Sequence, residues 1–238
     1  MLIVNGKSKG VTLVELSIVL AVLGILIIVG ISGRGLIDIS RATATIKQLS
    51  DRDLSFQIFL STYDCLPGDC SMTTVAGSNG MLATTGIGDG DTKIEAFVSG
   101  TTPNEIAFVE EHLVKAQLFN RSIGTVTAGT TQSGTQNLLS GILPIAKVPG
   151  AYFSVMNIGT IGTYSIIGGA SSTENVLNGL AISYPGIFKI IDSKIDDANG
   201  TSGNVVCQGA DITSAITTLS GTSYASATKC AFVVKMNI

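Results

Sequence analysis

Sixteen consecutive residues without a charge, Leu16 to Ile31, limit this chain more than any other feature. The run reads LSIVLAVLGILIIVGI, and no other stretch resembles it. A segment this apolar belongs in a core, in a membrane or against other chains. With Val11 to Val14 added, it approaches the roughly 20 residues that a bilayer span needs. Glu15 stands inside that extended segment. A carboxylate in a membrane helix costs about 2.5–3.5 kcal/mol on insertion scales, and such residues carry function by default. A cleaved secretory signal needs small residues at the end of its apolar core. Gly30-Ile31-Ser32 meets that poorly, and signal cores avoid carboxylates. A plain membrane anchor has the right length but no use for Glu15.

The remainder of the chain is polar and rich in Gly, Ser and Thr. Charged residues make up 13%, about half the usual share. Lys and Arg number 14 against 17 Asp and Glu, and no basic run follows the first ten residues. A nucleic-acid binder working through phosphate contacts is therefore excluded. A disordered acidic chain is excluded too, because 45% apolar residues can build a core. The single histidine, His112, rules out multi-histidine metal sites and leaves one candidate for Ser-His-Asp chemistry. Nothing in the spacing sets a partner beside it, and a catalytic constellation is absent.

The residues around Glu15 give it a context. Lys7-Ser8-Lys9-Gly10 is followed by Val11-Thr12-Leu13-Val14-Glu15 and then the apolar run. The string GVTLVELSIVLAVLGIL resembles the type IV prepilin signal. That resemblance implies a leader over residues 1–10, cut after Gly10 by a membrane prepilin peptidase on the cytoplasmic side. It implies methylation of the new N-terminus at Val11, with Glu15 as the fifth mature residue. The departure is Val11, where the family most often has Phe. Lys7 and Lys9 suit a cytoplasmic leader. The next cation along the helix after the cut is Arg34, about 28 Å away at 1.5 Å per residue. Glu15 is therefore expected to pair with an N-terminal amine, in a neighbouring subunit or its own. As an assembly residue it would set register, since a subunit out of step leaves both charges unpaired.

The helical signal continues past the apolar run. Ile39, Ala42, Ile46, Leu49, Phe56, Leu60 and Tyr63 recur at a period of about 3.5, with Asp53 in the skipped position. Arg34, Asp38, Arg41, Lys47, Asp51 and Arg52 fall mostly off this stripe. One long helix is expected from about Val11 to Thr62. It comprises a transmembrane and assembly half over 11–33 and an amphipathic half over 34–63. Gly24, Gly30, Gly33 and Gly35 weaken it by up to about 1 kcal/mol each relative to Ala. Ser32 stands where many pilins have Pro.

A head domain is expected over 64–238. Pro67-Gly68 marks a turn. A helix is predicted from Pro103 to Phe119, strands near 151–157 and 162–167, a short helix from Pro185 to Asp196-Asp197, and late strands at 205–207 and 231–234. YDCLPGD, GIGDGD, EEHLVKAQL and KIDDANGTSGNV, in that order, look like a recurrent subgroup of bacterial prepilin-like proteins. The implied fold is α+β and pilin-like: a long N-terminal helix packed on an antiparallel sheet.

Four cysteines permit three pairings. Local pairing, Cys65–Cys70 and Cys207–Cys230, is the most economical, and pilins often close a C-terminal loop in the second way. A zinc site is the rival, opposed by a single His and no C-x-x-C. Gly86 to Asp91 is no phosphate loop, for no Gly-Lys-Ser/Thr follows. GDGD resembles half of a calcium loop without its closing Glu. Some pseudopilins bind calcium through loop carboxylates, so Asp69, Asp89 and Asp91 are candidate ligands, as are Asp192, Asp196 and Asp197. No other cofactor is expected.

The expected function is structural: a subunit of a type IV pilus or type II secretion pseudopilus. Its implied partners are copies of itself, related pilins, prepilin peptidase and an inner-membrane assembly platform, with no nucleic acid. The implied location is the bacterial inner membrane, single-pass with the head in the periplasm, then the filament. The alternatives are a monomeric membrane-anchored periplasmic binding module and a secreted enzyme with an ordinary signal. Gly10 and Glu15 separate the first reading from both.

Overall fold

A computed structural model describes residues 10–70, 88, 90–94, 105–120, 143–159, 162–169, 181–209, 212, 218–236 and 238. Residues 29–32 and 107 are described by backbone alone. The fold is α+β, consistent with the pilin-like architecture expected. Its elements are α1 (Leu13–Tyr63), α2 (Glu105–Lys115), β1 (Tyr152–Ile158), β2 (Gly162–Gly168), α3 (Pro185–Ile195), β3 (Val205–Gln208) and β4 (Ala231–Lys235). The chain divides into two compact units, Met1–Ser40 and Arg41–Ile238, and α1 runs through the boundary.

In the first unit α1 carries no charge from Leu16 to Ile31. Leu13, Val19, Leu20, Ile25, Leu26 and Ile28 are all exposed. By length and composition this helix can cross a membrane.

In the second unit the strands form one antiparallel sheet in the order β1-β2-β4-β3. Burial along the strands is nearly continuous rather than alternating. The reason is that both faces are covered. Phe232 and Val234 join a core cluster with Ala42, Leu49 and the α3 residues Ile187, Phe188 and Ile191. Ala231 and Val233, one step along β4, join another with Phe56, Phe59 and the α2 residues Ile106, Val109 and Leu113.

Loops cover the two outer strands. Phe153 and Asn157 of β1 donate their backbone N–H groups to Pro144 and Ile94. On β3, Cys207 donates to the Gly200 carbonyl and accepts from the Thr222 N–H. Disulfides join Cys65 to Cys70 and Cys207 to Cys230, with Cα atoms 5.3 and 5.4 Å apart.

The buried face of α1 in this unit differs from the expected stripe. Ala42, Thr45, Leu49, Arg52, Phe56 and Phe59 are buried, while Ile46, Leu60 and Tyr63 are half-buried. Arg52, not Asp53, fills the skipped turn, which corrects its placement off the stripe. Three from Leu49 and four from Phe56 is a core position on a 3.6-residue helix. The guanidinium is accepted there because Glu110 of α2 meets it at 2.7 Å, with both side chains buried. The rings of Phe56, Phe119 and Phe153 lie 5.4–6.0 Å from it.

The helix ends are also specific. α1 stops where Asp64 takes a φ of 56°, the left-handed turn usually given to Gly. α2 ends at Lys115, short of the expected Phe119, while its expected start at Pro103 lies outside the described residues. Gln117 turns left-handed at φ 58°, and Leu118 donates back to Leu113.

Candidate functional site

The N-terminal residues singled out by the sequence stand together at the start of α1. Gly10 and Val11 precede the helix and are exposed. The bond between them therefore lies outside the helical hydrogen-bond ladder. Thr12 is the N-cap: its carbonyl accepts from the Leu16 N–H at 3.1 Å, and its Oγ1 accepts from the Glu15 N–H at 3.2 Å. The Glu15 carboxylate reaches back and accepts the Thr12 N–H at 2.9 Å. This reciprocal pair is a capping box, which satisfies two of the donors that every helix start leaves open.

The box changes the reading of Glu15. Sequence reasoning gave the carboxylate no structural use inside one chain, yet it closes the first turn. The signal was present as Thr12-x-x-Glu15 directly before an apolar run.

In the second unit the loop candidates group around α2. The Cys65–Cys70 turn brings Gly68 against α2 with a φ of 97°. A Cβ there would lie 2.7 Å from the Glu105 carbonyl oxygen and 2.9 Å from Val109, so only Gly fits. The Gly68 N–H donates to Nδ1 of His112 at 2.9 Å. His112 is buried and stacked on Phe59 at 6.0 Å between ring centres. The spacing sets no partner beside His112; the fold supplies one in the Cys65–Cys70 turn and buries the ring. Burial holds its pKa down to about 4, although Glu111 beside it pulls upward; Lys115 pushes it further down.

Asp69 is buried, and its two carboxylate oxygens accept the backbone N–H groups of Gly90 and Thr92, each at 2.8 Å. Asp91 binds Lys93, with Nζ to Oδ2 at 2.6 Å. Asp89 lies outside the described residues. Asp69 thus anchors the loop after Gly88 through backbone donors.

The acidic group at the end of α3 differs. One carboxylate oxygen from each of Asp192, Asp196 and Asp197 lies within 4.8 Å of the others. Asp192 is fully buried, and its Oδ2 accepts from the Tyr224 hydroxyl at 2.9 Å. Burial raises the Asp192 pKa, and the two neighbouring carboxylates add to the rise.

A family model described as the prokaryotic N-terminal methylation motif matches residues 5–31. That segment is the prepilin-type signal of type IV pilins and pseudopilins, and it carries Gly10, Val11, Thr12 and Glu15. The match supports a precursor of the pilin and pseudopilin kind. No curated protein and no solved structure matches this chain.

Proposed function

We propose that this chain is a structural subunit of a type IV pilus or a type II secretion pseudopilus. It is held in the bacterial inner membrane by the apolar half of α1, with the 64–238 head in the periplasm. Prepilin peptidase removes residues 1–10, Val11 is methylated, and the mature chain joins copies of itself or related pilins at an inner-membrane platform. The observation that carries this reading is the methylation motif over 5–31, placed at the start of a helix long and apolar enough to cross a membrane. No enzymatic role is part of it, since proteins marked by this motif are structural.

The charge of Glu15 recruits the next subunit. Its capping role makes the choice of variant decisive. Glu15→Gln keeps a side chain that can complete a capping box but removes the charge; Glu15→Ala removes both. The test compares sheared filament and membrane fractions in a strain whose wild-type chain forms filaments. Both variants are expected to insert and be cut, and both to lose incorporation at least about tenfold. Normal incorporation of Glu15→Gln would reduce Glu15 to a cap and favour the membrane-anchored binding module. Intact-mass measurement of membrane protein checks the processing step. A mature species beginning at Met1 contradicts it.

A further inference from the structure

The buried guanidinium of Arg52 has its charge settled but not its hydrogen bonds. Glu110 meets Nη1 at 2.7 Å and balances the charge. Nε and Nη2 donate to nothing among the described residues, and both are shut away from water. A guanidinium presents five N–H donors in a rigid planar fork. Buried donors are normally matched, and leaving two of them open is costly. What this group lacks is an acceptor, not a counter-charge.

A recess of about 220 Å³ lies beside it, between α1, the residues that follow α2, and β1. Arg52, Phe119, Pro144 and Phe153 line it, and Asp51 and Asn120 stand at its exposed rim. Gln48 also borders it, but its amide is committed at both ends. It donates to the Ile145 carbonyl and accepts the Lys147 N–H, each at 3.2 Å. The Phe153 N–H holds the Pro144 carbonyl at 2.8 Å, so that wall is tied down twice. The rings of Phe153 and Phe119 lie 5.4 and 5.9 Å from the guanidinium carbon. Phe153 is buried in the core, whereas Phe119 is half-buried and follows the last turn of α2. Phe119 is therefore the wall that can turn and let an oxygen reach Nε and Nη2.

These walls define the occupant. Two phenyl faces and a proline ring suit a flat apolar ring. The unmatched N–H pair requires an oxygen acceptor. An anion is opposed, because Glu110 already neutralises Arg52 and Asp51 stands at the rim. A sugar ring needs several uncommitted polar side chains, and Gln48 is not one. Sites for drug-sized ligands run to roughly 300–1,000 Å³, so this recess is limited to about one ring. We infer that it binds a small uncharged aromatic carbonyl compound, with the ring against Phe119 and Phe153 and the oxygen on Arg52. The site does not depend on the filament reading and is measured without any filament.

The experiment uses the full-length chain in detergent and benzamide as the probe, followed by calorimetry and saturation-transfer NMR. We expect saturable binding with a dissociation constant on the order of 1 mM, the range open to so small a ligand. Toluene lacks the acceptor and benzoate carries a charge; each should bind at least about tenfold more weakly. Arg52→Met combined with Glu110→Leu leaves neither charge unpaired, and should lose benzamide at least about tenfold while staying folded. Asn120→Trp fills the recess from its exposed rim without touching the core, and should have the same effect; it decides the matter if the double variant fails to fold. Absence of saturable benzamide binding up to about 20 mM overturns the proposal. Unchanged benzamide affinity in Asn120→Trp or in the folded double variant overturns it by placing the probe elsewhere or in the micelle. Toluene or benzoate binding as tightly as benzamide overturns it too, by removing the role given to an uncharged acceptor.

Discussion

The two units of this chain solve the burial problem in opposite ways. Residues 41–238 close on themselves: both sheet faces are covered, two disulfides are formed, and even Arg52 finds a buried acid. Among the described residues of 10–40, the large apolar side chains stay exposed along α1. The first arrangement is complete within one chain; an exposed apolar helix of the second kind calls for lipid or other chains around it. The contrast also separates two kinds of polar residue. Arg52 is neutralised inside its unit by a carboxylate of another helix, whereas Glu15 is held only by the backbone and hydroxyl of Thr12 in its own first turn.

The largest test of this contrast is Arg52. Removing one member of a buried ion pair leaves the other charged and unpaired, so Arg52→Ala is expected to cost about 3–5 kcal/mol in chemical unfolding of the head. A double replacement, Arg52→Met with Glu110→Leu, should recover most of that loss. A single variant near wild-type stability would show that the pair is not the closing element of this core.

The disulfides come next. Replacing Cys207 and Cys230 together by Ser should cost about 3 kcal/mol, and Cys65 with Cys70 about 2, since the longer loop restrains more of the unfolded chain. Denaturation midpoints of the two double variants decide the order.

His112 predicts a pH dependence. Its folded pKa of about 4 lies below the ordinary value of 6.5. Above 6.5 neither state binds the proton. Between 6.5 and about 4 the unfolded chain takes it up and the folded chain does not, so stability falls as pH falls through that window. Relative to pH 7, roughly 2–3 kcal/mol should be lost by pH 4.5. His112→Gln retains an acceptor for the Gly68 N–H and should lack this part of the slope. Equal slopes for the two chains would remove His112 from the account.

The smallest effect belongs to the open unit. Thr12→Ala removes the cap and should cost the first turn of α1 about 1 kcal/mol, read as faster amide exchange near Glu15. The unfolding midpoint of the head should not move. A shift there would mean that the two units are not independent in stability.

Much of the architecture was legible. The uncharged run and its leader needed no tertiary information, because cleavage signals and apolar helices are written locally in the chain. Hydrophobic period gave α1, α3 and the four strands to within a few residues. Arg52 and His112 were not legible. A charge on an amphipathic helix reads as solvent-facing until its partner is known, and Glu110 is 58 residues away in sequence. His112 is buried by a glycine in a disulfide turn that sequence places far from it. The capping role of Glu15 was legible and was missed, because the intermolecular reading already accounted for the charge.

The covered outer strands carry a consequence for how this protein behaves when crowded. An open strand edge is a template for adding another strand, and it underlies amorphous and amyloid aggregation. Here the N–H groups of Phe153 and Asn157 and both backbone groups of Cys207 are already taken by loops of the same chain. At these positions the head offers a neighbouring molecule no vacant backbone valence. Concentrated heads should therefore resist edge-to-edge strand addition at these positions.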